Sequence, residues 1–161
     1  MNSLQLRPLT DADIPLIQQW LCKEHIAKWY EHPNAWLTEI NGRFQGYNFI
    51  THFILLLDGS PIGFCQYYTC ADAKENWYEG IPLTGTYSID YLIGEETQLG
   101  KGHGVEMISL LISEIFAKNA AVGIIVQPEK ENISSCKALL SSGFIFCEEQ
   151  QFFYKKKFTV K

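Results

Sequence analysis

The sequence predicts a mixed α/β domain built on one central sheet. Three observations carry that expectation. A strand-like run, Thr86 to Ile93, leads through a glycine-rich stretch, Gln98-Leu99-Gly100-Lys101-Gly102-His103-Gly104, into a long apolar helix pattern. From there strand and helix alternate to Ser142, a β-α-β-α order that implies some parallel pairing. Hairpin signals on either side, Asp58-Gly59-Ser60 and the final Phe144–Phe146 and Gln151–Phe158 runs, imply antiparallel neighbours.

Taken in order, residues 3–8 alternate apolar and polar and predict a first strand ending at Pro8. Thr10 is a plausible N-cap with Asp13 three residues on, so a helix should follow and bury Ile14, Ile17, Leu21 and part of Trp20. Residues 22–31 continue as a second short helix, broken at His32-Pro33-Asn34, and 35–47 form a weaker one. Phe49–Leu57 and Pro61–Tyr68 are the strands of a hairpin, and Ala71–Gly85 is a long loop. After the Thr86–Ile93 strand, the main helix covers Gly102–Lys118 with Met107, Ile108, Leu111 and Ile115 on its apolar side. Val122–Val126 is a β-branched strand stopped by Gln127-Pro128. Asn132 caps a helix through Ser142, and Gly143 suits its C-terminus.

Length and composition bound the answer. At 161 residues with 47% apolar content, one domain over 1–161 is expected. The net charge of −5 argues against nucleic acid as partner. The five cysteines are odd in number and lack a Cys-x-x-Cys pair, which points to reduced thiols in the cytoplasm. No signal peptide core or membrane-length apolar run is present, and the four histidines show no metal-ligand spacing. Either a monomer or a homodimer is expected.

Glycines between a strand and a helix aim backbone N–H groups at a phosphate. The nucleoside-triphosphate loop does not fit: Gly94 and Gly100 are wrongly spaced, and Gly102 follows Lys101. The dinucleotide fingerprint fails where Met107 replaces its third glycine. What remains is a different phosphate loop, or an ordinary turn before a core helix. Asp90 is the outstanding polar residue: an acid between Ile89 and Tyr91 in an apolar strand is costly unless paired or functional. Partial burial would raise its pKa and suit it to accept a proton, whereas an outward Asp90 would pair with a surface lysine. In the Ala71–Gly85 loop, Glu75, Trp77, Tyr78 and Glu79 interleave acids with aromatics, a pattern that either receives a cationic amine or is a solvated loop folded on the core.

Several motifs spread over residues 4–156 point the same way: Arg7-Pro-Leu-Thr-x-x-Asp13, Trp20-Leu-x-x-x-His25-Ile-x-x-Trp29, Asp58-Gly-x-Pro61-Ile-Gly63, Ile89-Asp-x-Leu-Ile93 and Gln98-Leu-Gly-Lys-Gly102. Together they resemble the GNAT N-acetyltransferase family, and within it the aminoglycoside 6′-N-acetyltransferases. The resemblance implies the GNAT fold, a mixed, mostly antiparallel central sheet with helices on both faces. It also implies acetyl-coenzyme A as co-substrate. Its diphosphate would lie on Leu99, Gly100, Lys101, Gly102, His103 and Gly104, and its pantetheine arm along Leu92 and Ile93 with Asn132 nearby. Asp90 would be the base or substrate anchor, with Trp29, Gln66, Tyr68, Glu75, Trp77, Tyr78 and Glu79 around an amine. Transfer would be direct, within a ternary complex. Two departures from the family pattern matter. Leu139 stands where many members carry a tyrosine that protonates the leaving thiolate, and Gln127 stands where the aminoglycoside enzymes carry an acid. The alternatives are acetylation of protein N-termini or of a siderophore amine, or a coenzyme A-binding sensor with little activity.

Overall fold

The computed structural model describes residues 3–158. The chain forms one seven-stranded sheet in the order β1-β2-β3-β4-β5-β7-β6. The strands are β1 (Leu4–Pro8), β2 (Ile50–Leu57), β3 (Ser60–Thr69), β4 (Thr86–Ile93), β5 (Gly123–Val126), β6 (Ile145–Cys147) and β7 (Phe152–Lys156). All neighbours are antiparallel except β4 and β5. The β2–β3 hairpin turns at Asp58 and Gly59, both at positive φ (50° and 86°), the geometry that a tight hairpin requires.

The α-helices among the described residues are α1 (Ile14–Leu21), α2 (Glu24–Ala27), α3 (Pro33–Asn41), α4 (Cys70–Ala73), α5 (His103–Phe116) and α6 (Ile133–Ser141). Strand side chains alternate between faces, so each strand feeds two cores. On one face Met107, Ile108, Leu111 and Ile115 of α5 and Leu139 of α6 cover Phe53, Cys65, Tyr67, Ile89 and Ile124. On the other, Ile17, Trp20 and Leu21 of α1, Ile26 of α2 and Ile40 of α3 cover Ile54, Leu56, Phe64 and Leu92. Each such side chain fully buried stabilises the fold by about 1.5–3 kcal/mol. The helix entry expected at Thr10 is present: its N–H and hydroxyl both reach Asp13 Oδ2 (2.8 and 3.1 Å), and Arg7 grips the same carboxylate at 2.8 and 2.9 Å. Those bonds, the arginine's first, hold Asp13 below the usual carboxylate range.

Three segments differ from expectation. The short helix anticipated over 22–31 is α2, which covers only Glu24–Ala27. The helix anticipated over 35–47 is α3, which starts at Pro33 and ends at Asn41. Proline breaks the preceding helix yet fits the first helical position, where its missing N–H costs nothing. The segment 71–85 is not an open loop. It holds α4 and a 3-10 turn, Asn76–Tyr78, pinned by a third apolar cluster of Cys70, Tyr78, Ile125 and Phe152. No local period announces this, because its anchors come from β5 and β7.

Gly94 closes β4 against α1. A Cβ there would lie 2.1–2.3 Å from the Trp20 indole. Trp20 is fully buried, and its N–H donates to Glu95 Oε1 at 2.9 Å, so it cannot step aside. Gly94→Ala should therefore lower the melting temperature by about 5 °C or more, from an overpacking cost of about 1–3 kcal/mol. Differential scanning calorimetry checks it.

Candidate active site

The site grows from the phase of β4. Ser88, Asp90 and Leu92 share the face covered by α1–α3, whereas Tyr87, Ile89, Tyr91 and Ile93 share the α5–α6 face. The ladder places Asp90 opposite Gln66 and Gln66 opposite His52, one polar row across three strands. Gln66 Nε2 donates to Asp90 Oδ2 at 3.0 Å. Asp90 borders a cavity of about 580 Å³ that is also lined by Glu39 and Glu75. Burial pushes the Asp90 carboxyl up to about 7; the charges of Glu75 and Glu39 add to this, and the Gln66 amide opposes it. Burial raises Glu39 as well, with Glu75 adding to it. Aromatic rings wall this acidic space: Trp29, Tyr30, Trp36, Tyr68 and Trp77. Tyr30 and Trp36 meet edge to face at 5.1 Å, and the Trp77 indole donates to Glu75 Oε2 at 2.6 Å.

A second cavity, also of about 580 Å³, runs along the end of β4 to the start of α5. It exists because the sheet parts. β4 and β5 pair only at Thr86–Gly123 and Tyr87–Ile124; after Val126 the chain turns away at Gln127-Pro128. Gly94 N–H donates to Ile62 O at 2.8 Å. By antiparallel alternation the main-chain groups of Leu92, Asp90 and Ser88 therefore also turn to β3, and those of Ile89, Tyr91 and Ile93 turn to the gap. The two outer carbonyls are occupied: Tyr30 O–H donates to Tyr91 O at 2.7 Å, and His25 Nε2 lies 3.0 Å from Ile93 O. The N–H groups of Tyr91 and Ile93 remain directed into the gap.

At the far end, Gly100 and Gly102 take φ of 73° and 83°, and Gly102 caps α5 in the left-handed region. A Cβ at Gly100, Gly102 or Gly104 would meet nothing within 4 Å. Gly104 lies inside the first helical turn at ordinary φ, so the fold itself has no need of glycine there. That open space in front of N–H groups at a helix start suits a phosphate.

The matching family model is the acetyltransferase (GNAT) domain, which covers residues 10–152. The chain belongs to the GNAT acetyltransferase family. It is thus an acetyl-coenzyme A-dependent N-acetyltransferase. The chain is 27% identical over 149 residues to the aminoglycoside N(6′)-acetyltransferase type 1 of Klebsiella pneumoniae, a match spanning 89% of this chain and 74% of that relative. The same figures hold for the protein of that name from Serratia marcescens. Among solved structures, aminoglycoside acetyltransferase AAC(6′)-Ib with ribostamycin and coenzyme A superposes with a TM-score of 0.83 at 23% identity, covering 96% of this chain and 94% of that one. The same enzyme with coenzyme A alone gives 0.82 at 23% identity, over 96% and 95%. The mixed, mostly antiparallel GNAT fold with helices on both faces is as expected.

Within this GNAT domain the two cavities gather most of the expected residues. Trp29, Gln66, Tyr68, Glu75, Trp77 and Asp90 line the first; Ile93, Leu99, Gly100, Gly102, His103 and Gly104 line the second; Asn132 borders both. Asn132 is also the α6 cap, its Oδ1 accepting from Ser135 N–H at 3.2 Å. Four expectations need correction. Tyr78 is buried against Cys70, Ile125 and Phe152 and does not reach the cavity. Glu79 is exposed and does not line the cavity; it follows the 3-10 turn Asn76–Tyr78, whose Trp77 does. Lys101 is exposed and does not line the second cavity. Leu92 borders that cavity, but its side chain packs with Ile54 and Phe64 and its N–H turns to β3, so Ile93 and Tyr91 offer the free edge.

The sequence reading missed Glu39, Trp36, Tyr91 and Ser135. Trp36 and Glu39 are three residues apart on α3 and so share a face, a signal hidden by that helix's weak period. Of the two departures, Leu139 is fully buried in the core, and Gln127 lines the first cavity with its Nε2 donating to Gln151 O at 3.1 Å. Among the described residues no cluster of three His, Cys, Asp or Glu side chains is placed to hold a metal, and no helix is long and apolar enough to cross a membrane.

Proposed function

We propose that this GNAT domain acetylates an amine of a small polycationic molecule of the aminoglycoside class, by direct transfer in a ternary complex. The observation that carries the reading is the set of five carboxylates, Glu31, Glu39, Glu75, Asp90 and Glu129, that line an aromatic-walled cavity meeting the parted edge of β4. Carboxylates attract ammonium groups, and ring faces stack on sugars and cations. Compounds of this class lie in solved structures of AAC(6′)-Ib, which shares the fold.

The second cavity fits acetyl-coenzyme A by the open space at Gly100, Gly102 and Gly104 and by the unpaired edge of β4. The coenzyme supplies an acetyl group activated as a thioester. The N–H groups of Gly102–Gly104, at the positive end of α5, hold the diphosphate. The Ile93 N–H polarises the thioester carbonyl. Asp90, with its pKa near 7, is half ionised at neutral pH and takes the proton that the amine sheds as it attacks. Gln66 fixes the carboxylate's orientation. Glu75 and Glu39 hold the remaining ammonium groups, and Trp29 and Trp77 exclude water. The five cysteines carry no disulfide among the described residues, which fits work in a reducing cytoplasm.

Thiol release measured with kanamycin-like amines, with peptides and with simple monoamines tests the assignment. Turnover confined to polycationic amines supports it; turnover with peptide N-termini alone overturns it. Glu75→Gln and Glu39→Gln should each raise KM for a polycationic amine about 5- to 20-fold with little change in kcat, the loss of one hydrogen bond to a charged group. The increase should shrink in high salt.

A further inference from the structure

The amine cavity and the coenzyme cavity share five lining residues: Trp29, Tyr30, Tyr91, Asn132 and Ser135. Resting on the function proposed above, the carbonyl and sulfur of the thioester must lie at that junction, because only there do both substrates meet. A leaving thiolate needs a donor there. Leu139 cannot serve, being apolar and sealed in the core. Of the three hydroxyls at the junction, that of Tyr30 is spent on Tyr91 O at 2.7 Å. The other two face each other: Tyr91 Oη and Ser135 Oγ are 2.6 Å apart. Two hydroxyls sharing one hydrogen bond use one proton between them, so one O–H is left over.

We propose that the Tyr91–Ser135 hydroxyl pair donates a hydrogen bond to the coenzyme sulfur as it leaves, and that Tyr91 is a catalytic residue of this enzyme. Position supports it. Ser135 sits in the first turn of α6, where the Asn132 cap fixes its backbone, and it holds the phenol from the α6 side. Tyr91 comes from β4 at the parted edge, where its own carbonyl is tied down by Tyr30. The 2.6 Å bond can run either way, and with Ser135 Oγ–H as its donor the phenolic proton of Tyr91 is free to turn toward the gap. Burial, helped by the neighbouring Asp90 charge, raises the phenol's pKa, so the group stays protonated and acts as a donor throughout the working range. The step balances as follows. The amine lone pair forms the C–N bond, the C–S bond breaks, and its electron pair stays on sulfur. The amine proton passes to Asp90. The sulfur leaves as a thiolate hydrogen-bonded to Tyr91 and is then protonated from solvent. Charge-assisted O–H bonds of this kind are short and strong, which is why a phenol serves better than the amide of Asn132.

The test uses the full chain, with coenzyme A alone and then with acetyl-coenzyme A and a kanamycin-like amine. In the binary complex the bound thiol is titrated by its ultraviolet thiolate absorbance. Tyr91→Phe should raise that titration midpoint by about one pH unit, the loss of one hydrogen bond to a charged atom. It should lower kcat about 10- to 100-fold and change the coenzyme A Kd by less than about threefold. Ser135→Ala should move both quantities less, in the same direction, and the double variant should be no worse than Tyr91→Phe. An unchanged thiol midpoint and kcat in Tyr91→Phe overturns the proposal. So does a fall in kcat matched by an equal loss of coenzyme affinity with the midpoint unmoved. If Tyr91→Phe fails to fold, Ser135→Ala decides by the same two readings. A wild-type chain that shifts the thiol midpoint but acetylates no polycationic amine would sink the substrate assignment and leave the role of Tyr91 standing.

Discussion

Asp90→Asn should lose about 10²–10³-fold in kcat while binding coenzyme A as the wild type does. Asparagine keeps the size of the side chain, can still bond Gln66, and cannot take a proton. The wild-type rate should rise with pH through a midpoint near 7, where Asp90 ionises, and this limb should vanish in the variant. The same substitution carries an opposite signature in stability. The folded pKa of Asp90, about 7, lies above the usual carboxylate value of 3.8, so the folded chain binds more protons than the unfolded chain between those limits. Wild-type stability contributed by this group is therefore full in acid and is lost as pH rises through 7. Asparagine escapes that loss. The melting temperature of Asp90→Asn should exceed that of the wild type at about pH 8, and the difference should shrink toward pH 4. A shift of this size is on the order of 4 kcal/mol, or about 8–16 °C. His52, pushed down to about 4 by its burial, depends on pH in the reverse sense, but it is present in both proteins and cancels in the comparison. A variant that is slower and no more stable at high pH would reassign Asp90 from proton transfer to architecture.

Gly104→Asp should weaken coenzyme A binding by about 100-fold or more and leave the ligand-free protein at least as stable. A side chain at position 104 has free space and an ordinary backbone angle, and a carboxylate in the first turn of α5 favours the helix dipole. Relative to glycine, most residues in a helix gain about 0.5–1 kcal/mol. The same carboxylate would occupy the place proposed above for the diphosphate and repel it. Calorimetric titration with coenzyme A and a thermal melt of the ligand-free chain check the two halves. Gly102→Asp is a poorer probe, because its φ of 83° adds strain that would blur binding with folding. Equal coenzyme affinity in Gly104→Asp would remove the diphosphate from this loop.

How far the sequence could be read follows from where each signal resides. β4 was legible to the residue, because a β-branched alternating run bounded by glycines is a local property. The α5 face was legible too: Met107, Ile108, Leu111 and Ile115 recur at helical spacing and all are fully buried. Asp90 stood out because an acid in such a strand needs a reason. The shape of the amine cavity was not legible. Glu39 reaches it from α3, a helix with little apolar rhythm, and only the fold brings it to Glu75 and Asp90. Tyr78 and Trp77 are adjacent and chemically alike, yet one is core and the other lines the cavity, a choice made by β5 and β7 packing behind them. The assignment of Leu92 rather than Tyr91 to the open edge had a similar cause. Which alternate residues of a strand face outward depends on the register with β3, and register belongs to two strands at once.

The parting of β4 from β5 has a consequence for the protein's life in its host. Because β4 and β5 share only two residue pairs, a coenzyme arm seated along the open edge as proposed above would add main-chain bonds the sheet lacks there. Whatever seats itself in the native fold and not in the unfolded chain shifts the folding balance by mass action. Endurance against proteolysis and heat would then follow the local supply of acetyl-coenzyme A, so that starved surroundings shed this enzyme first.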